Sequence, residues 1–237
     1  MADPATLAFV LLPVLLVASL AIGVWWSWRR AGEPRARAVR AVALVVAAAA
    51  VWMTVTWRAA ASGALRQWDD TPPPFALLIA GIFGIAFRLA FSTTGRRLAQ
   101  HVPLWALVGI QSFRYPLELA MHVMYERGLM PVQMSYSGRN FDIVTGITAL
   151  LVSGLLVIGR AGRRTVAAWN VLGVLLLANI VVVAILSLPA FRYFGDDQVN
   201  VWVADPPYVW LPAVMVLAAL AGHLLVFRAL RLQRPPS

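Results

Sequence analysis

The sequence predicts an all-α integral membrane protein, a single domain of seven transmembrane helices in one bundle across residues 1–237. Of its 237 residues, 61% are hydrophobic and only 13% are charged, a balance typical of membrane proteins. A helix needs about 20 apolar residues to cross about 30 Å of hydrocarbon. Seven stretches approach that length, near residues 6–27, 40–57, 74–93, 102–125, 141–159, 166–188 and 207–229.

The first three stretches have the features of retained spans. No basic residue precedes the first, which continues into Trp25 and Trp26, so we expect a span and not a cleaved signal peptide. Trp57 closes the second stretch, and tryptophan favours the membrane–water interface. Arg88 lies near the end of the third, where its long side chain can reach that interface.

The four remaining stretches differ in polarity. The fourth and fifth carry most of the polar side chains, so we expect them to face the bundle interior. The sixth and seventh are almost wholly apolar, with Asn170 and His223 as their inward polar candidates. Trp210 opens the seventh stretch at the expected interface.

The placement of arginine predicts the orientation of the bundle, because positively charged loops stay in the cytoplasm. One side collects most of the loop arginines, namely Arg29, Arg30, Arg35, Arg37, Arg40, Arg96, Arg97, Arg160, Arg163, Arg164, Arg228, Arg231 and Arg234. The other side collects most of the acids, namely Asp3, Asp69, Asp70, Glu126, Asp142, Asp196, Asp197 and Asp205, together with Arg58, Arg66, Arg127, Arg139 and Arg192. This pattern predicts an outer N-terminus and a cytoplasmic C-terminus.

The fourth stretch carries a polar face at membrane depth. At about 100° per residue, one arc of that helix holds Gln111, Arg114, Tyr115, Glu118, His122 and Tyr125. Arg114 lies about 12 residues, or about 18 Å, into the fourth stretch, close to the bilayer centre. Ionisable groups at that depth are costly and mark functional sites, so we expect a ligand-binding site here.

Two roles remain open for Arg114. It could anchor an anionic group of a ligand, or it could form a buried salt bridge with Glu118 at i+4 that only holds the bundle together. His122, one turn further out, could titrate near neutral pH or simply accept a structural hydrogen bond. Pro116 removes one backbone hydrogen bond and favours a kink beside these residues.

The connection between the fourth and fifth stretches is rich in hydrogen-bonding groups. In the simpler interpretation Asn140 caps the fifth helix and Asp142 complements its dipole. In the alternative, this loop folds back over the outer mouth of the bundle. Arg139 and Asp142 would then complete a site with Glu118 and His122.

Several kinds of chemistry are excluded by residue content. The chain has no cysteine and no lysine, which removes disulfides, thiolate metal sites and Schiff-base chemistry. Its three histidines are too dispersed for a haem pair or a metal cluster, and we expect neither a metal nor a cofactor. The net charge of +10 comes from loop arginines typical of membrane topology, so we expect no nucleic-acid partner.

Three functions are consistent with these features. The first is a polytopic bacterial inner-membrane protein that binds, senses or transports a small anionic or zwitterionic ligand, or protons, in a periplasm-facing polar site. The second is a membrane-embedded enzyme that uses Glu118 and His122 as acid and base on a lipid-linked substrate. The third is an accessory subunit of a membrane complex. Expected partners are membrane lipid, a small molecule or other membrane subunits; the bacterial origin is inferred from the arginine-only, alanine-rich composition.

The orientation can be tested with reporter fusions at two glycines. We expect alkaline phosphatase fused at Gly138 to be active, because that loop lies on the acidic, outer side, and a fluorescent protein fused at Gly162 to fold in the cytoplasm. A cytoplasmic signal from the Gly138 fusion would reverse the orientation.

Overall fold

The computed structural model describes residues 4–233, and within that range the chain is helical without a β-strand. Its α-helices, in chain order, are α1 (Pro4–Arg30), α2 (Arg35–Ala61), α3 (Pro74–Phe91), α4 (Thr93–His101), α5 (Leu104–Gly109), α6 (Arg114–Glu126), α7 (Ile143–Val157), α8 (Arg163–Leu186) and α9 (Leu217–Leu232). A π-helical segment, Leu211–Val216, leads directly into α9.

Five helices are long and apolar enough to cross a membrane: α1, α2, α3, α8 and the continuous helix Leu211–Leu232. Large apolar side chains such as Ile22, Leu44 and Val51 are exposed on α1 and α2, as expected for helices that contact lipid. The prediction of an all-helical membrane protein is therefore confirmed at this level.

The fourth and fifth stretches take forms that fall short of a regular span. A 3-10 turn, Ile110–Phe113, separates α5 from α6. Pro116 lies in the first turn of α6, where a backbone N–H makes no bond within the helix. The missing N–H of proline therefore costs α6 no hydrogen bond. The fifth stretch forms α7, whose 15 residues reach only about 22 Å. The seven-span count thus stays a prediction.

The two groups of loops lie at opposite ends of the bundle. At the first end, Arg97 Nη2 donates to Glu33 Oε1 at 2.6 Å, and the side chain of Gln233 donates to the carbonyl oxygens of Ala99 and Val102. We call this the basic end. The hydrogen bond from Arg97, followed by the one from Arg37, lowers the pKa of Glu33 from its ordinary value.

The opposite end, called here the acidic end, is joined by its own side-chain bonds. Arg66 pairs with Asp205 through two parallel bonds, and Gln133 Nε2 donates to the carbonyl oxygen of Gln198 at 2.7 Å. These bonds show which loops lie together at each end of the bundle. Two residues used in the charge argument, Asp3 and Arg234, lie outside the described residues.

Helix α7 packs against α5 and α6 at very close range. A Cβ atom placed on Gly146 would overlap the backbone nitrogen of Tyr115 and approach its Cα to 3.0 Å. Glycine is required here because any side chain would push α7 away from the start of α6. Gly154, two turns further along α7, has nothing within 4 Å of the same position.

Alanine at these two glycines should therefore have opposite effects. We expect Gly146→Ala to lower the melting temperature in detergent, because a forced helix separation costs about 1–3 kcal/mol. Gly154→Ala is the matched control on the same helix, and it should leave stability unchanged or raise it by up to about 1 kcal/mol through helix propensity. Equal melting temperatures for the two variants would contradict the close approach of α7 and α6.

Candidate functional site

An irregular segment, residues 135–142, runs back into the bundle alongside α6. Asn140 Nδ2 donates to Glu118 Oε2 at 2.7 Å, and Arg114 Nη1 donates to Asp142 Oδ1 at 2.7 Å. The segment starts at the acidic end and finishes where α6 begins, so α7 starts deep inside the bundle. The loop therefore folds back into the bundle and brings Asp142 near Glu118, but Arg139 and His122 do not join them in the cavity lining.

The ion pair of Arg114 and Asp142 is almost completely buried, with side-chain exposures of 1% and 8%. Thr145 Oγ1 also donates to Asp142 Oδ1 at 3.0 Å, and the backbone N–H of Asp142 donates to Asn140 Oδ1 at 3.0 Å. The bridge from Arg114 to Glu118, one of the two roles left open above, is not the ion pair that Arg114 makes, which is with Asp142. Helical spacing identified a neighbour on the same helix, whereas the loop delivers a closer carboxylate.

Two of the three guanidinium nitrogens of Arg114 have no hydrogen-bond partner among residues 4–233. These atoms, Nε and Nη2, are buried and donate to no acceptor there. These two N–H groups lie on one edge of the planar guanidinium, and such an edge matches the two oxygens of a carboxylate or phosphate. We call this edge the Arg114 fork. Arg66 binds the two carboxylate oxygens of Asp205 through the same pair of nitrogens.

Arg114 lines a cavity of about 80 Å³ between α3, α6, α8 and the Leu211–Leu232 helix. That volume is several times what one water molecule needs. All but five of the lining residues are apolar; the five polar ones are Arg114, Glu118, Asn140, Asp142 and Asn200. Among the described residues, Asn200 Oδ1 has no hydrogen-bond partner and is buried. The polar residues that line the cavity, called here the polar wall, therefore include both unpaired donors and an unpaired acceptor.

Three of the seven predicted site residues line this cavity: Arg114, Glu118 and Asp142. Gln111 lies next to it, where its Nε2 donates to the carbonyl oxygen of Ala219 at 3.1 Å. The cavity lining does not include Tyr115, His122 or Arg139.

The side chains of those three residues have other surroundings. Tyr115 is 38% exposed. The guanidinium of Arg139 lies 5.4 Å from the ring centroid of Phe194, and its backbone carbonyl accepts a hydrogen bond from Asn179. Both therefore sit outside the polar wall that surrounds Arg114.

His122 has a separate polar environment at the acidic end. Its Nδ1 lies 2.9 Å from Ser135 Oγ and 3.3 Å from Ser137 Oγ, and its Nε2 lies 3.5 Å from a carboxylate oxygen of Glu126. The ring of Tyr136 stacks on the imidazole at 4.3 Å. These contacts join His122 to residues 135–137, the start of the irregular segment.

Sequence reasoning missed two members of the polar wall. Asn140 was expected at most as a helix cap, and Asn200 was not considered. The only local signal for Asn200 was its position between Val199 and Val201 in a loop that alternates polar and apolar residues. Such a pattern is consistent with one buried face but does not say what that face contacts.

A second buried polar pair lies nearer the basic end. His223 Nδ1 lies 2.7 Å from Asn170 Oδ1, and Asn170 Nδ2 donates to the His223 carbonyl oxygen at 3.1 Å. Gly173 leaves room for the imidazole ring. The pair joins α8 to α9. No group of three or more His, Asp or Glu residues within 4–233 is arranged to hold a metal ion.

Residues 72–231 match the model of a family described as a domain of unknown function, DUF8737. The match covers more than half of the chain, and the chain belongs to this family. It runs from just before α3 nearly to the end of α9 and includes every residue that lines the cavity. No curated protein and no solved structure matches the chain.

A double-mutant cycle tests the pairing of Arg114 with Asp142. We expect Arg114→Met or Asp142→Leu alone to cost about 3–5 kcal/mol, because each leaves an uncompensated buried charge. The double variant should be more stable than the sum of both losses predicts. The matched comparison is Arg114→Met with Glu118→Leu, which should show weaker coupling in melting or denaturation measurements. Additive losses for Arg114 and Asp142 would contradict the pairing.

Proposed function

We propose that this member of the DUF8737 family is a polytopic membrane protein that binds a small ligand through a carboxylate or phosphate group at the Arg114 fork. The ligand is anionic or zwitterionic. The observation that carries the proposal is the pair of buried, unpartnered guanidinium nitrogens on a residue that lines a cavity. A buried charged donor without an acceptor is costly, and an oxyanion in the cavity removes that cost.

The way in which Asp142 contacts Arg114 supports ligand binding in addition to neutralisation of the arginine charge. Asp142 takes only Nη1 of Arg114, so the charge is compensated while the edge that binds oxyanions in a bidentate manner is left over. Arg97 has one buried nitrogen without a partner, Nη1, and Arg228 has none, since its Nη1 donates to the carbonyl oxygens of Ala90 and Ser92. Among the described residues, Arg114 is the arginine in which both nitrogens of one edge are buried and unpartnered.

Glu118 gives the site a means of balancing charge. The polar wall holds one cationic side chain, Arg114, and two carboxyl groups, Glu118 and Asp142. An added anion is accommodated best when Glu118 carries a proton, and a zwitterionic ligand can place its cationic group beside Glu118 instead. Binding is therefore coupled either to a proton or to the cationic half of the ligand.

The proposal includes a location and an orientation. The fold separates the arginine-rich loops from the acidic ones, and positively charged loops remain in the cytoplasm. We place the protein in a bacterial inner membrane with seven spans, the N-terminus and the acidic end outside and the C-terminus inside. The Gly138 and Gly162 fusions described above test this arrangement.

The same geometry favours binding or sensing over the alternatives. Glu118 is held by Asn140 at the cavity, whereas His122 contacts serine side chains outside it, so the two do not converge as an acid/base pair. Transport needs a polar route to the basic end. Among the described residues, His223 and Asn170 lie in that direction, but they bind each other.

Thermal-shift measurements with butyl phosphate test the fork. We expect butyl phosphate to raise the melting temperature of the wild type, while butanol at the same concentration does not. Arg114→Lys keeps the charge but loses the parallel donors. It should lower the affinity for butyl phosphate about 10- to 100-fold, which corresponds to the loss of one charge-assisted hydrogen bond.

Arg66→Lys is the matched control, because it removes the same kind of fork from the exposed pair with Asp205. It should bind butyl phosphate as the wild type does. An unchanged response in Arg114→Lys would contradict the proposal. No response of the wild type to butyl phosphate would leave an accessory subunit as the better explanation.

A further inference from the structure

A second cavity, of about 190 Å³, continues the first toward the side of the bundle. Phe83, Leu177, Val181 and Val216 line both cavities. The remaining lining residues of the second cavity are apolar as well. The two adjoining cavities together make up an apolar groove between α3 and α8, and Arg114 lines only the inner of the two. We call it the α3–α8 groove.

The outer end of the α3–α8 groove opens on a surface that contacts lipid. Ala178 and Val182 stand one turn apart on α8, line the second cavity and are exposed. Helices α3 and α8 both have the length and apolar character of membrane spans. An opening between them at this level faces hydrocarbon and not water.

We propose that the ligand is a single-chain anionic amphiphile that reaches the site from the bilayer. Its carboxylate or phosphate binds the Arg114 fork, and its alkyl chain lies in the α3–α8 groove. This inference rests on the proposed function, since it assigns the class of ligand that the fork binds. It adds the route of access and the need for a chain.

Charge and polarity both select this occupant. The inner end of the groove has two unpartnered cationic N–H groups, whereas its walls are apolar from Phe83 to Val182. A free oxyanion would have apolar walls around most of its surface. A partner helix could cover the opening, but its backbone has no free acceptor to offer Arg114. An alkyl chain with an oxyanion at its end matches both parts of the groove.

Photo-crosslinking tests the path of the chain. The probe is dodecyl phosphate with a diazirine at its terminal carbon, added to the full-length protein in maltoside detergent. We expect peptides that contain Phe83 and residues 178–182 to carry the label. Unlabelled dodecyl phosphate should compete at least tenfold more effectively than dodecanol, which has the same chain without the phosphate.

Two tryptophan variants on α8 provide a matched comparison. Ala178→Trp fills the opening and should reduce labelling at least tenfold. Ala168→Trp places the same side chain on an exposed position of α8 outside both cavities and should leave labelling unchanged. Because both alanines are exposed, neither substitution disturbs the packed core.

The possible failures are distinguishable. Labelling elsewhere, or labelling that Ala178→Trp does not reduce, overturns the lateral route, while a response to butyl phosphate that depends on Arg114 still supports the proposed function. Equal competition by dodecanol, with no effect of Arg114→Lys, overturns both. Ala178→Trp could also lose labelling together with a change of oligomeric state in gel filtration. That result identifies a second copy of the chain as the occupant and overturns the proposal of an amphiphile.

Discussion

The buried ion pair between Arg114 and Asp142 determines much of the remaining structure. A guanidinium near the middle of an apolar bundle needs a carboxylate in the same place, and the chain supplies it by leading residues 135–142 back along α6. Because Asp142 immediately precedes α7, that helix starts deep in the bundle and is short. The close approach of Gly146 to the Tyr115 backbone follows from the same requirement.

The irregular backbone of this region is tolerated because it is enclosed by protein. Unpaired backbone groups are excluded from hydrocarbon, but non-helical segments occur at membrane depth where other helices surround them. Side chains of the irregular segment 135–142, including Ser135, Asn140 and Asp142, are buried. Bonds such as that from Asn140 Nδ2 to the Met134 carbonyl oxygen replace the helical ones. The two stretches that fall short of regular spans are thus the two that build the site.

Periodicity and composition were sufficient to predict an all-helical protein with membrane-spanning helices. The fourth stretch could be assigned as a site because Arg114 and Glu118 are ionisable and share a helix face. The partner of Arg114 could not be assigned, because it depends on the path of a loop and not on helical spacing. Asn200 was missed for the same reason, since it comes from a different connection of the chain.

The arginines of this chain differ in how many of their N–H groups have a hydrogen-bond acceptor. Arg66 uses both oxygens of Asp205 at the surface, and Arg228 uses two backbone carbonyl oxygens at the basic end. Arg114 is more deeply buried than either, so unmade hydrogen bonds cost it more, yet two of its nitrogens are buried without a partner among the described residues. Glu118 is a second carboxyl group near Arg114 that could have accepted hydrogen bonds from the remaining edge. Instead, Glu118 accepts a hydrogen bond from Asn140. The arrangement keeps a charged donor edge available inside an apolar groove, which is the condition for binding an oxyanion that arrives with an alkyl chain.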